Sequence, residues 1–189
     1  MNRALLPHRA FGSDPKATYR DWLVKTVKAR ECGTVAEVGV QAGRTTYRLA
    51  SETTARIWAV DTWRGVPGDP LQAGIYRKIK ESEKIFHRRL RPWIKSGRVR
   101  VLKMDSMMGA VELFEAEGRT LDLAFLDADH SYDAVRGDIW AWRQVVRPGG
   151  ILCGHDLNWP GVKKAVDEAL AGKWKPCAGG FAWWWEVDK

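Results

Sequence analysis

Acidic residues recur at the ends of apolar runs in this chain, and their spacing points to ligand chemistry. In Val35-Ala36-Glu37-Val38-Gly39-Val40-Gln41-Ala42-Gly43-Arg44-Thr45-Thr46, a buried strand ends in Glu-x-Gly-x-x-x-Gly and turns into a helix. Glycines at such a junction let backbone N–H groups approach a ligand closely. Asp61 closes the next apolar run, Ile57-Trp58-Ala59-Val60. An acid about 20 residues beyond the loop suits a ribose diol. A dinucleotide loop needs G-x-G-x-x-G. Gln41 occupies the second glycine position here, so NAD is a poor fit. Further along stand Asp127-Ala128-Asp129-His130-Ser131-Tyr132 and Gly154-His155-Asp156. Asp127 and Asp156 are expected side by side at the tips of adjacent strands. Two carboxylates converging on one point suit a hard divalent cation with oxygen ligands. His130 and His155 fall at the edge of the same site, where either could act as a general base near neutral pH. His130 is favoured, because it follows two acids that could orient it.

The elements that must position these residues alternate. Strands are expected near 34–39, 56–61, 98–104, 121–127 and 149–155, and helices near 43–52, 72–91, 107–117, 132–146 and 160–171. In the helix near 132–146, Val135, Ile139, Trp142 and Val146 recur at helical spacing. Such alternation implies a doubly wound α/β sheet, and these acids then fall at carboxyl ends of strands, where open α/β sheets bind ligands. Asp14-Pro15 reads as the start of a first helix running to about Arg30, with Trp22, Leu23, Thr26 and Val27 on one face. The tail, from Trp174 through Gly179-Gly180 to Val187, reads as a hairpin.

Composition sets the class. At 189 residues, with 45% apolar and 29% charged residues, the chain is expected to be a single soluble domain, 1–189. No signal peptide or membrane span is read, and three widely spaced cysteines suit reduced thiols in the cytoplasm. The formal net charge is +8, and Arg77 to Lys95 holds eight Lys/Arg against two Glu. Residues 63–95 therefore read either as a solvated helix face or as a basic lid that attracts an acidic substrate, with nucleic acid as a further option. Eleven tryptophans are expected mostly in the core, some of them able to form an aromatic substrate wall.

The order of these motifs resembles that of class I S-adenosylmethionine-dependent methyltransferases. It is closest to the small family that includes macrocin-type O-methyltransferases. Shared features are Asp-x-Asp-His-Ser-Tyr, the Arg-Pro-Gly-Gly turn at 147–150, Gly-His-Asp at 154–156, and Pro160-Gly161-Val162 with Ala165-Val166. The resemblance covers roughly residues 33 to 187 and implies a Rossmann-like seven-stranded sheet, mostly parallel, with a C-terminal antiparallel hairpin. It implies a cofactor site of Glu37, Gly39, Gln41, Gly43, Asp61, Thr62, Trp63, Asp105, Ser106 and Asp127. Within that site Glu37 would organise the loop and the cofactor's amino group, Asp61 would take both ribose hydroxyls, and Asp105-Ser106 would lie at the adenine edge. Asp105 has a simpler reading as a helix N-cap.

Catechol-type relatives bind magnesium through an Asp after strand four and an Asp after strand five, followed directly by an Asn. Here Leu157 takes that place and Asn158 comes one later, so a magnesium site at Asp127 and Asp156 would need Asn158 or Asp129 as a third ligand. Asp129 could instead cap the following helix. The catalytic set is then His130, His155 and Asp127, and the expected reaction is O-methylation of a small acidic or sugar-containing molecule. The Asn/Asp-Pro-Pro-Tyr/Phe signature of base N-methylation is absent after strand four, which argues against a nucleic-acid methyltransferase. A binding protein or tailoring enzyme on the same fold is the third alternative. A homodimer would help to cover the substrate.

Overall fold

The computed structural model describes residues 18–65, 76–177 and 180–188. Thirteen elements follow one another: α1 (Tyr19–Ala29), β1 (Thr34–Val38), α2 (Arg44–Glu52), β2 (Arg56–Val60), α3 (Tyr76–Lys95), β3 (Val99–Leu102), α4 (Ser106–Glu117), β4 (Leu121–Leu126), α5 (Tyr132–Val145), β5 (Val146–Gly154), α6 (Pro160–Ala169), β6 (Lys175–Pro176) and β7 (Trp183–Glu186). The strands form one sheet in the order β3-β2-β1-β4-β5-β7-β6. The first five strands are parallel, β7 is antiparallel to β5, and β6 to β7. This is the expected seven-stranded doubly wound sheet. The turn of the terminal hairpin at residues 178 and 179 lies outside the described residues.

The apolar runs of β1, β2 and β4 are buried on both faces, as strands between two helical layers must be. One core cluster joins α1, α2 and α3 to the sheet, and the other joins α4, α5 and α6. The order of the strands reverses between β1 and β4, the place where such sheets leave a crevice at their carboxyl ends.

Helix α3 extends beyond the expected end at residue 91, and the expected start of α1 lies outside the described residues. Thr18 caps α1: its hydroxyl accepts the Asp21 N–H while the Asp21 carboxylate accepts the Thr18 N–H; Asp14 and Pro15 lie outside the described residues. Helix α3 runs past Pro92 to Lys95. Proline opposes helix at that point, but Trp93 and Ile94 pack against the core and hold the last turn. Phe86 and Leu90 of α3 are fully buried, so this helix belongs to the packed layer, with Arg88 and Arg91 on its solvent face. Residues 66–75 of the expected lid lie outside the described residues.

Candidate active site

The end of β1 passes so close to the end of β4 that only glycine fits. A Cβ on Gly39, whose φ is +88°, would lie 2.1 Å from the Asp127 carbonyl oxygen. The Gly39 N–H donates to Val60 O, and the Asp127 N–H to Val38 O, both at 2.8 Å. Gly43, with φ +71°, caps α2 against the rings and methyls of Phe86 and Leu90. Between them Gln41 adopts φ +47°. Asp61 ties this loop: its Oδ2 accepts the Gln41 N–H and its Oδ1 the Trp63 N–H, each at 2.7 Å. The Trp63 indole N–H returns a bond to Gln41 O at 2.8 Å. Burial raises the Asp61 carboxyl above its usual range, against the pull of these N–H donors. Thr62 Oγ1 accepts the Arg64 N–H at 3.1 Å. Arg89, which in the sequence reads as part of the basic lid, donates to Ala42 O and braces the loop instead.

Beneath the loop Glu37 is 2% exposed. It accepts the Thr46 hydroxyl at 2.6 Å, and burial pushes its carboxyl up to about 8. Two neighbours that sequence reasoning missed come from the first turn of α1. Arg20 Nε donates to Thr45 Oγ1 at 3.0 Å, and its guanidinium lies 4.5 Å over the Tyr19 ring. Tyr19 packs 4.1 Å from His155 and 5.6 Å from Phe125. Burial, then the nearby Asp127 charge, raises its phenol. A Tyr-Arg pair at a helix start carries no motif that would mark it in sequence.

On the other side of Gly39, four side chains converge at the tips of β4 and β5. His130 Nε2 lies 2.9 Å from Asp156 Oδ2, and His155 Nδ1 lies 3.1 Å from Asp156 Oδ1 and 3.8 Å from Asp127 Oδ1. Burial, and then the charge of Asp156, raises the Asp127 carboxyl well above its usual range. Asp156 is pushed upward by burial too, but the bonds from His130 and His155 outweigh this and hold it below the usual carboxylate range. Two carboxylates this close oppose each other's ionisation, and the bonds from the imidazoles favour the charged form of Asp156. The bond to Asp156 raises His130. The backbone places Asp156 at φ +60°, a conformation Asp tolerates better than most residues. Gly154 precedes this turn, where a Cβ would meet Leu126 O at 2.8 Å and the Trp183 ring at 2.7 Å.

The sequence expectations meet this geometry unevenly. Asp127, Asp156, His130 and His155 are brought together, but the acid that orients His130 is Asp156, from the neighbouring strand, and not the two acids that precede it. Asp129 accepts the Ser131 N–H at 2.7 Å, in the turn before α5, and Asn158 is exposed. The imidazoles of His130 and His155 lie beside the two aspartates, and one atom each from Asp127, His130 and Asp156 lie within 4.8 Å of one another.

Asp105 caps α4, accepting the Met107 N–H at 2.9 Å. Ser106 accepts the Trp142 indole N–H at 3.0 Å and is bonded to Asp138, a 5% exposed acid on α5 that burial pushes up to about 7. Asp138 was also missed; it sits among apolar helix positions and no pattern in the sequence singles it out. Gly161 packs the start of α6 on this segment, where a Cβ would lie 3.0 Å from His130 O.

The fold and the chain's own motifs agree with known proteins. A family model described as a methyltransferase domain matches residues 36–157. No curated protein matches the sequence. Among solved structures, the calicheamicin methyltransferase CalS11 has a TM-score of 0.67 at 18% identity, covering 90% of this chain and 78% of its own. The O-methyltransferase NovP has 0.64 at 21%, covering 90% and 78%. The O-methyltransferase from Bacillus cereus, in complex with SAH, has 0.59 at 15%, covering 100% and 84%. At these identities the likeness is one of fold. The family model spans well over half of the chain, and the chain accordingly belongs to this methyltransferase family, of the class I S-adenosylmethionine-dependent kind.

Proposed function

We propose that this chain transfers a methyl group from S-adenosylmethionine to an oxygen of a small hydroxyl-bearing molecule. The observation that carries this reading is the cluster of Asp127, Asp156, His130 and His155 directly beside the glycine loop. The loop residues suit the cofactor: Glu37 is a buried acid able to take an ammonium, and Asp61 is an acid at the tip of β2, where a ribose diol would meet it. When bound, the cofactor supplies an electrophilic sulfonium methyl. The chain's residues then align the acceptor and take its proton. His130 is 35% exposed at its side chain, whereas His155 is 21% exposed and capped by the Tyr19 ring. His130 is therefore the imidazole an acceptor can reach. Asp156 orients it and stabilises the imidazolium formed when the hydroxyl proton moves to it.

A second reading rests on the trio Asp127, His130 and Asp156, whose two carboxylates and one imidazole have the spacing for a divalent cation, the imidazole favouring a transition ion over magnesium. A cation there would lower the pKa of a bound hydroxyl. For the acceptor, the exposed Arg88 and Arg91 favour an acidic molecule. CalS11 is described as a TDP-rhamnose 3'-O-methyltransferase, which makes a phosphorylated sugar the first class to screen.

The test pairs calorimetry with turnover. S-adenosylhomocysteine should bind with and without chelator, and Asp61→Ala should weaken it by about 1–3 kcal/mol, the scale of lost charge-assisted bonds. His130→Gln should lower methyl transfer about 10²-fold with that affinity unchanged. Absence of binding would overturn the cofactor reading. Full activity in His130→Gln would overturn the base, and loss of activity with chelator alone would favour the cation.

A further inference from the structure

Eight large apolar side chains are exposed among the described residues, and five of them lie on two adjacent helices. Met107, Met108, Val111 and Phe114 of α4 and Trp140 of α5 are 47% to 66% exposed. The opposite side of α4 is also apolar, with Gly109, Ala110 and Leu113 in the core. A soluble helix normally keeps apolar side chains on one side, and here α4 carries them on both, the open side shared with Glu112 and Glu115. The patch is continuous between the helices, because the Met107 sulfur lies 3.0 Å from where a Cβ on Gly137 would sit, one turn before Trp140.

The charges flanking the patch differ in sign between the two helices. Every charged residue of α4 is acidic: Glu112 and Glu115 are exposed, and Glu117 pairs with Arg56 and Arg100. The exposed face of α5 carries Arg136 and Arg143, four residues before and three after Trp140, and Asp133 at the far end of the helix, seven residues before it. One chain thus holds an apolar stripe with an acidic border on one helix and a basic border on the next. A two-fold axis that lays α4 of one copy on α5 of another would pair these borders twice, as self-complementary interfaces do. Setting α4 on α4 would oppose glutamates.

We propose that the α4–α5 face is the interface of a homodimer, with α4 of each copy seated on α5 of the other. The flexible methionines suit packing against a facing tryptophan.

Sedimentation velocity on the full chain, from about 1 to 100 μM, tests this directly. The expected result is a species of twice the chain mass. Met108→Glu and Val111→Glu, each at an exposed position, should raise its dissociation constant at least about tenfold, with the far-UV circular dichroism unchanged. Arg136→Glu with Arg143→Glu should also weaken it, and adding Glu112→Arg and Glu115→Arg should restore it. A monomer at 100 μM would overturn the proposal, as would a dimer indifferent to these substitutions or a four-fold reversal that fails to restore assembly. Such a monomer would point to a different protein on this face.

Discussion

Two buried acids make the chemistry of single residues measurable. Glu37 is pushed up to about 8 and Asp138 to about 7, each chiefly by burial. A carboxyl raised in the folded state stabilises fully below its unfolded value near 4, and loses that contribution as pH rises through its folded value. Stability should therefore fall between about pH 4 and pH 8. Asp138→Asn should remove its own share of this slope, at most about 1.4 kcal/mol for each pH interval of one below about pH 7, and leave the share of Glu37. Urea midpoints at pH 5 and pH 8 check it, and an unchanged slope would mean that Asp138 is ionised in the native protein at low pH. Glu37 gives a separate signature. If it pairs with the ammonium of the cofactor, binding at pH 7 should release about one proton. Calorimetry of S-adenosylhomocysteine in two buffers of different ionisation heat reads this, and Glu37→Gln should abolish it. Glu37 was legible in the sequence because its strand and loop are local. Asp138 was not, since its burial depends on α4 packing across α5.

At the scale of elements, the crossing of β1 over β4 is the least forgiving point. Gly39→Ala places a methyl 2.1 Å from the Asp127 carbonyl and demands φ +88°, which costs an L residue further strain. The variant should lose about 3 kcal/mol or more of stability, together with cofactor binding; a fully stable variant would show that the two strand ends part easily. The strands and their order were readable, because parallel strands buried on both faces appear as continuous apolar runs. Pairings across the sheet were less so. The partner of His130, Asp156, comes from the turn after β5, and an imidazole rather than Asp129 or Asn158 lies beside the aspartate pair. Sequence order shows which residues sit at strand tips, but not which way a turn points them.

Across the whole molecule, positive charge gathers on the outer face of α3 while the acids gather at the tips of β1, β2, β4 and β5. An acidic acceptor would be drawn to the first and processed at the second. Charge reversal at Arg88 and Arg91, which leaves the loop brace at Arg89 intact, should slow capture of such an acceptor and flatten its salt dependence. Progress curves at low and high salt would show it; identical salt dependence in variant and parent would exclude steering by this helix. The count of basic residues was plain in the sequence. That one of them turns inward to grip the glycine loop was not, because it depends on α3 lying over α2.

The three bonds among Asp61, Gln41 and Trp63 fix the shape of the glycine loop through contacts made entirely within the chain. A receptor already folded into its binding shape spends little affinity on ordering itself. Nucleoside recognition here should therefore be a matter of fit and exchange of hydrogen bonds, with fast association and almost no change in amide hydrogen exchange across residues 39–43.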